Sequence, residues 1–152
     1  MAQIVADERR PGGESTVRYR GGMRAGASTI TAAVAADVCS VLAFVVIGRH
    51  THGDGDSLAG IWHTAWPFLG GLAAGLIAGR VWRRPLAIVP SGVGAWVGAA
   101  GAGMAIRVAA GQGTAAAFIG VTFAFLALFV LGWRVVVAAT QRFRRVSAAR
   151  RS

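Results

Sequence analysis

Four apolar stretches, each long enough to cross a lipid bilayer, occupy most of this 152-residue chain. They lie at about residues 30–48, 61–79, 86–106 and 115–139, within a domain covering 30–139. A membrane span needs about 18 or more predominantly apolar residues, which each stretch supplies. A soluble amphipathic helix would carry polar residues along one face, whereas these stretches are apolar almost all round. The sequence therefore predicts an all-α membrane protein, built as a bundle of four transmembrane helices.

Positive charge is distributed unevenly among the polar segments that flank these spans. The chain has 16 arginines and no lysine, and 14 of the arginines lie in the first, third and fifth polar segments or, for Arg134, near the inner end of the fourth span. Only Arg49 and Arg107 fall in the second and fourth. Because cytoplasmic loops are enriched in Lys and Arg, the pattern predicts that both termini face the cytoplasm. Exclusive use of arginine beside abundant alanine, glycine and valine is typical of GC-rich bacterial genomes, so we expect the cytoplasmic membrane of a bacterium.

A net charge of +10 would also suit a protein that binds nucleic acid. Arginines beside membrane spans, however, orient insertion and contact anionic lipid headgroups. We therefore expect the partners of these arginines to be the lipid bilayer and its anionic headgroups, and we expect no nucleic acid.

Both ends of the chain are polar. Residues 1–29 contain too little apolar surface to bury a core, so we expect a disordered cytoplasmic segment. Met23 lies shortly before the first span and is an alternative start of translation. Residues 140–152 alternate arginines with apolar residues and predict a basic cytoplasmic tail, which either lies on anionic lipid or is solvated.

Two charged residues, one acidic and one basic, lie inside the predicted spans. Asp37 is roughly 10 Å from the inner end of the first span, at a rise of about 1.5 Å per residue. Arg134 lies roughly 8 Å from the inner end of the fourth. Because intramembrane charges usually pair inside a bundle, we expect an Asp37–Arg134 ion pair between neighbouring helices, with Arg80 as the alternative partner. The pair serves either as a gate or proton relay or as a device that fixes helix packing, and the need of a small bundle for interhelical polar contacts favours the second role.

A second candidate cluster lies at the outer ends of the spans. It consists of Arg49, His52, Trp66, Pro67 and Arg107. Its two arginines oppose the charge rule that the others follow, which makes them candidates for function. Nearby side chains could in principle bind a divalent metal: His50, His52, His63, Asp54 and Asp56. Their spacing matches no recognised set of ligands, so we expect neither a metal nor a cofactor.

Glycines predict a helix-packing face. Gly71, Gly75 and Gly79 recur at every fourth position of the second span, and Gly94 with Gly98 repeats this spacing in the third. Small residues let helix backbones approach closely, either within the bundle or in a homodimer. The sequence contains no nucleophile elbow, lysine-bearing phosphate loop or pair of intramembrane acids, so we expect no enzyme.

Several short motifs occur in an order that resembles one bacterial membrane-protein family. They are Asp37, Gly48-Arg49 with His52, Trp66-Pro67-Phe68, Arg107, Phe118 and Gly132-Trp133-Arg134. The family is catalogued as domain of unknown function 3054, and the resemblance covers about Ile30 to Arg134. It implies a four-span membrane protein, and it implies no activity, substrate or cofactor.

Small size and short loops favour a non-enzymatic accessory or scaffold subunit, which would bind another membrane protein or lipid. The alternative is permeation of a small solute, ion or proton through a homo-oligomer that uses Asp37 and Arg134. An intramembrane enzyme has the least support.

Overall fold

A computed structural model describes residues 26–52 and 57–151, apart from the side chain of His52. Its helices are α1 (Ala27–His52), α2 (Leu58–Ala78), α3 (Ile88–Ala109) and α4 (Ala116–Ala149). All four are long and apolar enough to cross a membrane, and the described residues contain no β-strand. The predicted all-α bundle of four helices is therefore confirmed. The expected disorder of residues 1–25 and the alternative start at Met23 lie outside the described residues.

The first two helices begin earlier than the predicted spans. α1 begins at Ala27, so residues 27–29 are helical and do not belong to the N-terminal segment. α2 begins at Leu58 because the hydroxyl of Ser57 caps it, accepting a 3.2 Å hydrogen bond from the backbone N–H of Gly60. Apolar periodicity alone does not reveal such a cap.

The last two helices depart from the prediction in opposite ways. Val89 in the first turn of α3 is extended, with φ −118° and ψ 130°, because a following proline disfavours the helical conformation. α4 instead continues through residues 140–149, most of the predicted tail. At about 1.5 Å per residue, the 34 residues of α4 measure roughly 51 Å, well beyond a hydrocarbon core of about 30 Å.

Consecutive helices are antiparallel and form a ring in which α4 closes against α1. One end of the ring contains the C-terminus of α1, the N-terminus of α2 and residues 110–115. We call it the arginine-poor end, because Arg49 and Arg107 are the arginines that lie there. The opposite, arginine-rich end contains the turn at residues 79–87 and the last part of α4.

A seam of glycines joins α2 to α3. A Cβ atom at Gly75 would meet the carbonyl oxygen of Gly94 and lie 2.9 Å from the Cα of Gly98. A Cβ atom at Gly98 would in turn meet the backbone of Gly71, and Gly79 continues the seam at its end. Only glycine permits this helix separation, because the contacts are with backbone atoms. The face that could also have formed a homodimer is therefore occupied by α3 of the same chain.

Aromatic side chains fill the centre of the ring. Phe44 of α1 packs edge to face on Phe68 of α2, with ring centroids 5.4 Å apart. The indole N–H of Trp96 on α3 donates a 3.0 Å hydrogen bond to the carbonyl oxygen of Phe123 on α4. These contacts fix which faces of the four helices meet, and so position the polar groups described next.

Candidate functional site

A buried ion pair joins α1 to α4. The carboxylate of Asp37 accepts two hydrogen bonds from the guanidinium of Arg134, from Nη1 to Oδ1 at 2.6 Å and from Nη2 to Oδ2 at 2.7 Å. Both side chains are 0% exposed. The structure thus brings together the two intramembrane residues that the sequence places at similar depth. Their two parallel hydrogen bonds match the fork geometry that suits arginine and carboxylate.

Three further residues hold this pair in place. The indole N–H of Trp133 donates a 3.0 Å hydrogen bond to Oδ1 of Asp37, and the centroid of its ring lies 4.3 Å from the guanidinium carbon of Arg134. Arg134 also donates to the carbonyl oxygen of Val130 at 2.9 Å. On α3, Gly92 leaves room for the arginine, since a Cβ atom there would lie 2.8 Å from its Cδ. Sequence reasoning missed Trp133 and Gly92 as site residues, because neither type signals an ionisable partner.

The Asp37–Arg134 pair is held in one arrangement by its hydrogen bonds. Both carboxylate oxygens of Asp37 accept hydrogen bonds, and both Nη atoms of Arg134 donate them. A charge without such a partner is costly inside a membrane, so the two groups stabilise each other where they are. Proton transfer through either residue would first require the pair to separate.

A cavity of about 290 Å³ opens between α1 and α4 near the arginine-poor end. Phe44, Phe118 and Phe125 form an aromatic wall, while Arg49 and Arg107 line the cavity from α1 and α3. The ring centroid of Phe44 lies 6.2 Å from that of Phe118 and 5.6 Å from that of Phe125. Two members of the predicted outer cluster therefore share one cavity. Sequence reasoning missed the cavity, because positions along a span do not reveal which helix faces meet.

Arg49 connects α1 to α2. Its Nη1 donates a 3.2 Å hydrogen bond to the hydroxyl of Thr64. Gly60 leaves space for the guanidinium, since a Cβ atom there would lie 2.9 Å from the Cζ of Arg49. Thr64 in turn donates to the carbonyl oxygen of Gly60 at 3.1 Å. The first turns of α2 are thus shaped to hold this arginine beside the cavity.

Arg107 is held by the connection between α3 and α4. Its Nε donates to the carbonyl oxygen of Gly113 at 3.1 Å, and its Nη1 donates to Oε1 of Gln112 at 2.9 Å. Its guanidinium carbon lies 5.1 Å from the ring centroid of Phe118. Gln112 also donates to the carbonyl oxygen of His63 at 3.0 Å, which ties the connection to α2. Within the described residues, the partners of Arg107 are neutral oxygens and an aromatic ring, with no carboxylate among them.

The other predicted site residues lie away from this cavity or outside the described structure. Trp66 is 37% exposed on α2, Pro67 is buried in the same helix, and neither lines the cavity. The side chain of His52 is not among those described. Arg80 is exposed in the turn after α2, at a φ of 50°, and is not the partner of Asp37.

The histidines weighed as metal ligands are only partly described. His50 and His63 are exposed, and Asp54 and Asp56 lie outside the described residues. Among residues 26–52 and 57–151, no group of three or more His, Cys, Asp or Glu side chains is placed to hold a metal ion.

Four long apolar helices around a buried ion pair define the class of this protein, a four-helix membrane bundle. A family model described as "Protein of unknown function (DUF3054)" matches residues 34–137, and the chain belongs to that family. The resemblance found in its motifs is thereby confirmed. No curated protein and no solved structure matches the chain. The ion pair and both cavity arginines lie within the matched segment.

Proposed function

We propose that this protein is a non-enzymatic accessory subunit of a bacterial cytoplasmic membrane, with both termini in the cytoplasm. The observation that carries the proposal is the last part of α4, residues 140–149, which we call the helical arm. Every residue of the arm is exposed, including Arg142, Arg144 and Arg145, and Phe143 is 73% exposed. The arm continues α4 and needs no helix nucleation of its own, and its exposed arginines and Phe143 are available for contacts outside the chain.

The bundle supports this role as a rigid anchor for the arm. Backbone contact at Gly75 and Gly98 sets the separation of α2 and α3, while the Asp37–Arg134 pair connects α1 to the helix that carries the arm. A bundle held from both sides in this way would present the arm in one direction. An acidic surface on another membrane protein would match the charge of the arm.

Crosslinking from the arm tests the proposal in native membranes. A photoreactive residue at position 143 of the full chain should crosslink to one heterologous protein, which co-purifies in a fixed ratio. Replacing Arg142, Arg144 and Arg145 together by Gln should abolish the crosslink. A photoreactive residue at Leu128, which is 68% exposed on the apolar part of α4, is the matched control and should capture lipid. Capture of lipid alone, or of a second copy alone, from position 143 would contradict the accessory role.

Permeation through a homo-oligomer is the second candidate function, because the cavity and the ion pair lie along the same contact between α1 and α4. Arg49 and Asp37 are separated by roughly 18 Å along α1, at about 1.5 Å per residue. Phe44 and Phe125 lie between these levels, so a solute path would require both rings and the ion pair to move. Proton or anion flux into proteoliposomes, altered by Asp37→Asn in a dimer that persists, would support permeation. Absence of flux from the reconstituted protein would argue against it.

A further inference from the structure

The cavity near the arginine-poor end changes in character with depth. The guanidinium groups of Arg49 and Arg107 line it near the helix ends. Phe44 lies about 7 Å deeper along α1, and Phe125 lies roughly 14 Å from the start of α4, at about 1.5 Å per residue. A ligand that contacts both the arginines and the deeper phenylalanines must carry negative charge at one end and apolar carbon at the other.

The cavity also opens sideways, toward the surface that faces lipid. Ile47 of α1 and Val121 of α4 both line it, and they are 44% and 57% exposed. These two residues lie on apolar helices long enough to cross a membrane, so their exposed surface adjoins lipid. A ligand can therefore enter from the bilayer and leave part of itself there.

The volume limits what is held inside. Ligand pockets usually measure about 300–1,000 Å³, so a cavity of about 290 Å³ lies at the lower limit. It has room for a headgroup anion and the first carbons of one chain, and the rest of a long molecule would remain in the bilayer.

The charge of the arginines selects the headgroup. Within the described residues, Arg107 is bonded to the neutral oxygens of Gln112 and Gly113, so its positive charge has no acidic partner there. Arg49 brings a second guanidinium to the same cavity from α1. Arginine binds phosphate oxygens with charge-assisted hydrogen bonds, often two at once. Both arginines also oppose the bias that places the others at the arginine-rich end.

We propose that this cavity binds the phosphate group of an anionic phospholipid through Arg107 and Arg49, with the first acyl carbons against Phe44 and Phe125. The site goes beyond the accessory role and does not depend on it. A bound lipid would fill the lateral opening between α1 and α4.

Two variants separate this site from general attraction of lipid. Arg107→Gln removes one charge from the cavity, and Arg83→Gln is the matched control, since Arg83 is exposed in the turn at the other end. Gly48→Leu fills the cavity, because Gly48 lines it and a Cβ atom there meets nothing within 4 Å. Gly120→Leu is its control: that helical glycine also has open space, but it does not line the cavity.

Native mass spectrometry of the full chain measures the binding. The protein is released from detergent after addition of one ligand at a time: phosphatidylglycerol, phosphatidylcholine, oleate or inorganic phosphate. We expect one phosphatidylglycerol retained per chain, at least about tenfold tighter than phosphatidylcholine, because both lipids carry the phosphate but the choline of the second adds a positive charge beside the two arginines. Arg107→Gln and Gly48→Leu should each weaken retention about tenfold, with both controls within about twofold of the unsubstituted protein. A melting curve in the same detergent identifies any variant that has unfolded.

Four outcomes would overturn the proposal. Retention unchanged in the folded Arg107→Gln and Gly48→Leu variants would place the lipid elsewhere. An equal loss of retention in Arg83→Gln would show that the lipid responds to the net charge of the protein and not to this cavity. Oleate bound as tightly as phosphatidylglycerol would identify a carboxylate site, and inorganic phosphate bound as tightly would identify a site for a free anion.

Discussion

At the scale of single residues, the buried carboxylate of Asp37 is surrounded by donors. It accepts two hydrogen bonds from Arg134 and one from the indole of Trp133, and no part of the pair is exposed. Removing one member of such a pair leaves the other charge buried without compensation, whereas replacing both by apolar residues removes the two charges together. The difference between these changes distinguishes a packing device from a functional gate.

Substitution of either charged partner should therefore destabilise the bundle. We expect Asp37→Asn and Arg134→Gln each to cost about 3–5 kcal/mol of unfolding free energy, measured by thermal unfolding in detergent. Joint replacement by Asp37→Leu and Arg134→Leu should recover most of this loss. Arg142→Gln, on the exposed arm, is the control and should change stability by less than about 0.5 kcal/mol. Single variants as stable as the unsubstituted protein would show that the pair does not hold the bundle together, and would favour the gate.

The indole of Trp133 makes a contribution that can be measured separately. Trp133→Phe keeps an aromatic ring beside Arg134 but removes the N–H donor to Asp37. A hydrogen bond to a charged group contributes about 1.5–3 kcal/mol, so we expect a loss of that order in the same unfolding assay. Trp82→Phe provides the matched control, because Trp82 is 47% exposed in the turn after α2. Equal effects of the two substitutions would refute a specific role for the indole N–H.

At the scale of helices, two kinds of contact hold the ring closed. α2 and α3 meet backbone to backbone at their glycines, while α1 and α4 meet through Asp37 and Arg134. The first contact tolerates no added atom, because backbone cannot move aside as a flexible side chain can. The second leaves the cavity beside Arg49 at one end, so the proposed lipid site lies at the contact between α1 and α4.

A matched pair of alanine substitutions tests the glycine seam. Alanine favours a helix by up to about 1 kcal/mol relative to glycine, so Gly120→Ala, where a Cβ atom has open space, should be neutral or slightly stabilising. Gly98→Ala places the same methyl group against the backbone of Gly71 and Gly75. We expect it to destabilise by about 1–3 kcal/mol, as overpacking does. If both variants unfold at the same temperature, close approach of α2 and α3 does not contribute to stability.

At the scale of the whole molecule, the sequence predicts those properties that depend on how far along a span each residue lies. The number of helices follows from apolar length, and the approach of Asp37 to Arg134 follows from their matched depths. Position does not specify rotation about a helix axis. Sequence reasoning therefore did not reveal that Arg49 and Arg107 share a cavity, and it left open whether the glycines of α2 face α3 or a second chain. Trp133, the third donor to Asp37, was missed for the same reason. Its position next to Arg134 in the sequence does not show which way its indole N–H points.

Orientation in the membrane is the remaining property of the whole molecule, and arginine asymmetry predicts it. Cys39 is the single cysteine of the chain, so Cys39→Ser provides a background for labelling. Ala110→Cys reports on the arginine-poor end and Ser147→Cys on the arm, and both positions are exposed. Because 13 of 16 arginines flank the same ends of the spans, a membrane-impermeant maleimide should label Ala110→Cys in intact cells. Ser147→Cys should be labelled only after permeabilisation. The reverse pattern would place both termini outside, and labelling of both positions in intact cells would mean that the arginines do not fix one orientation.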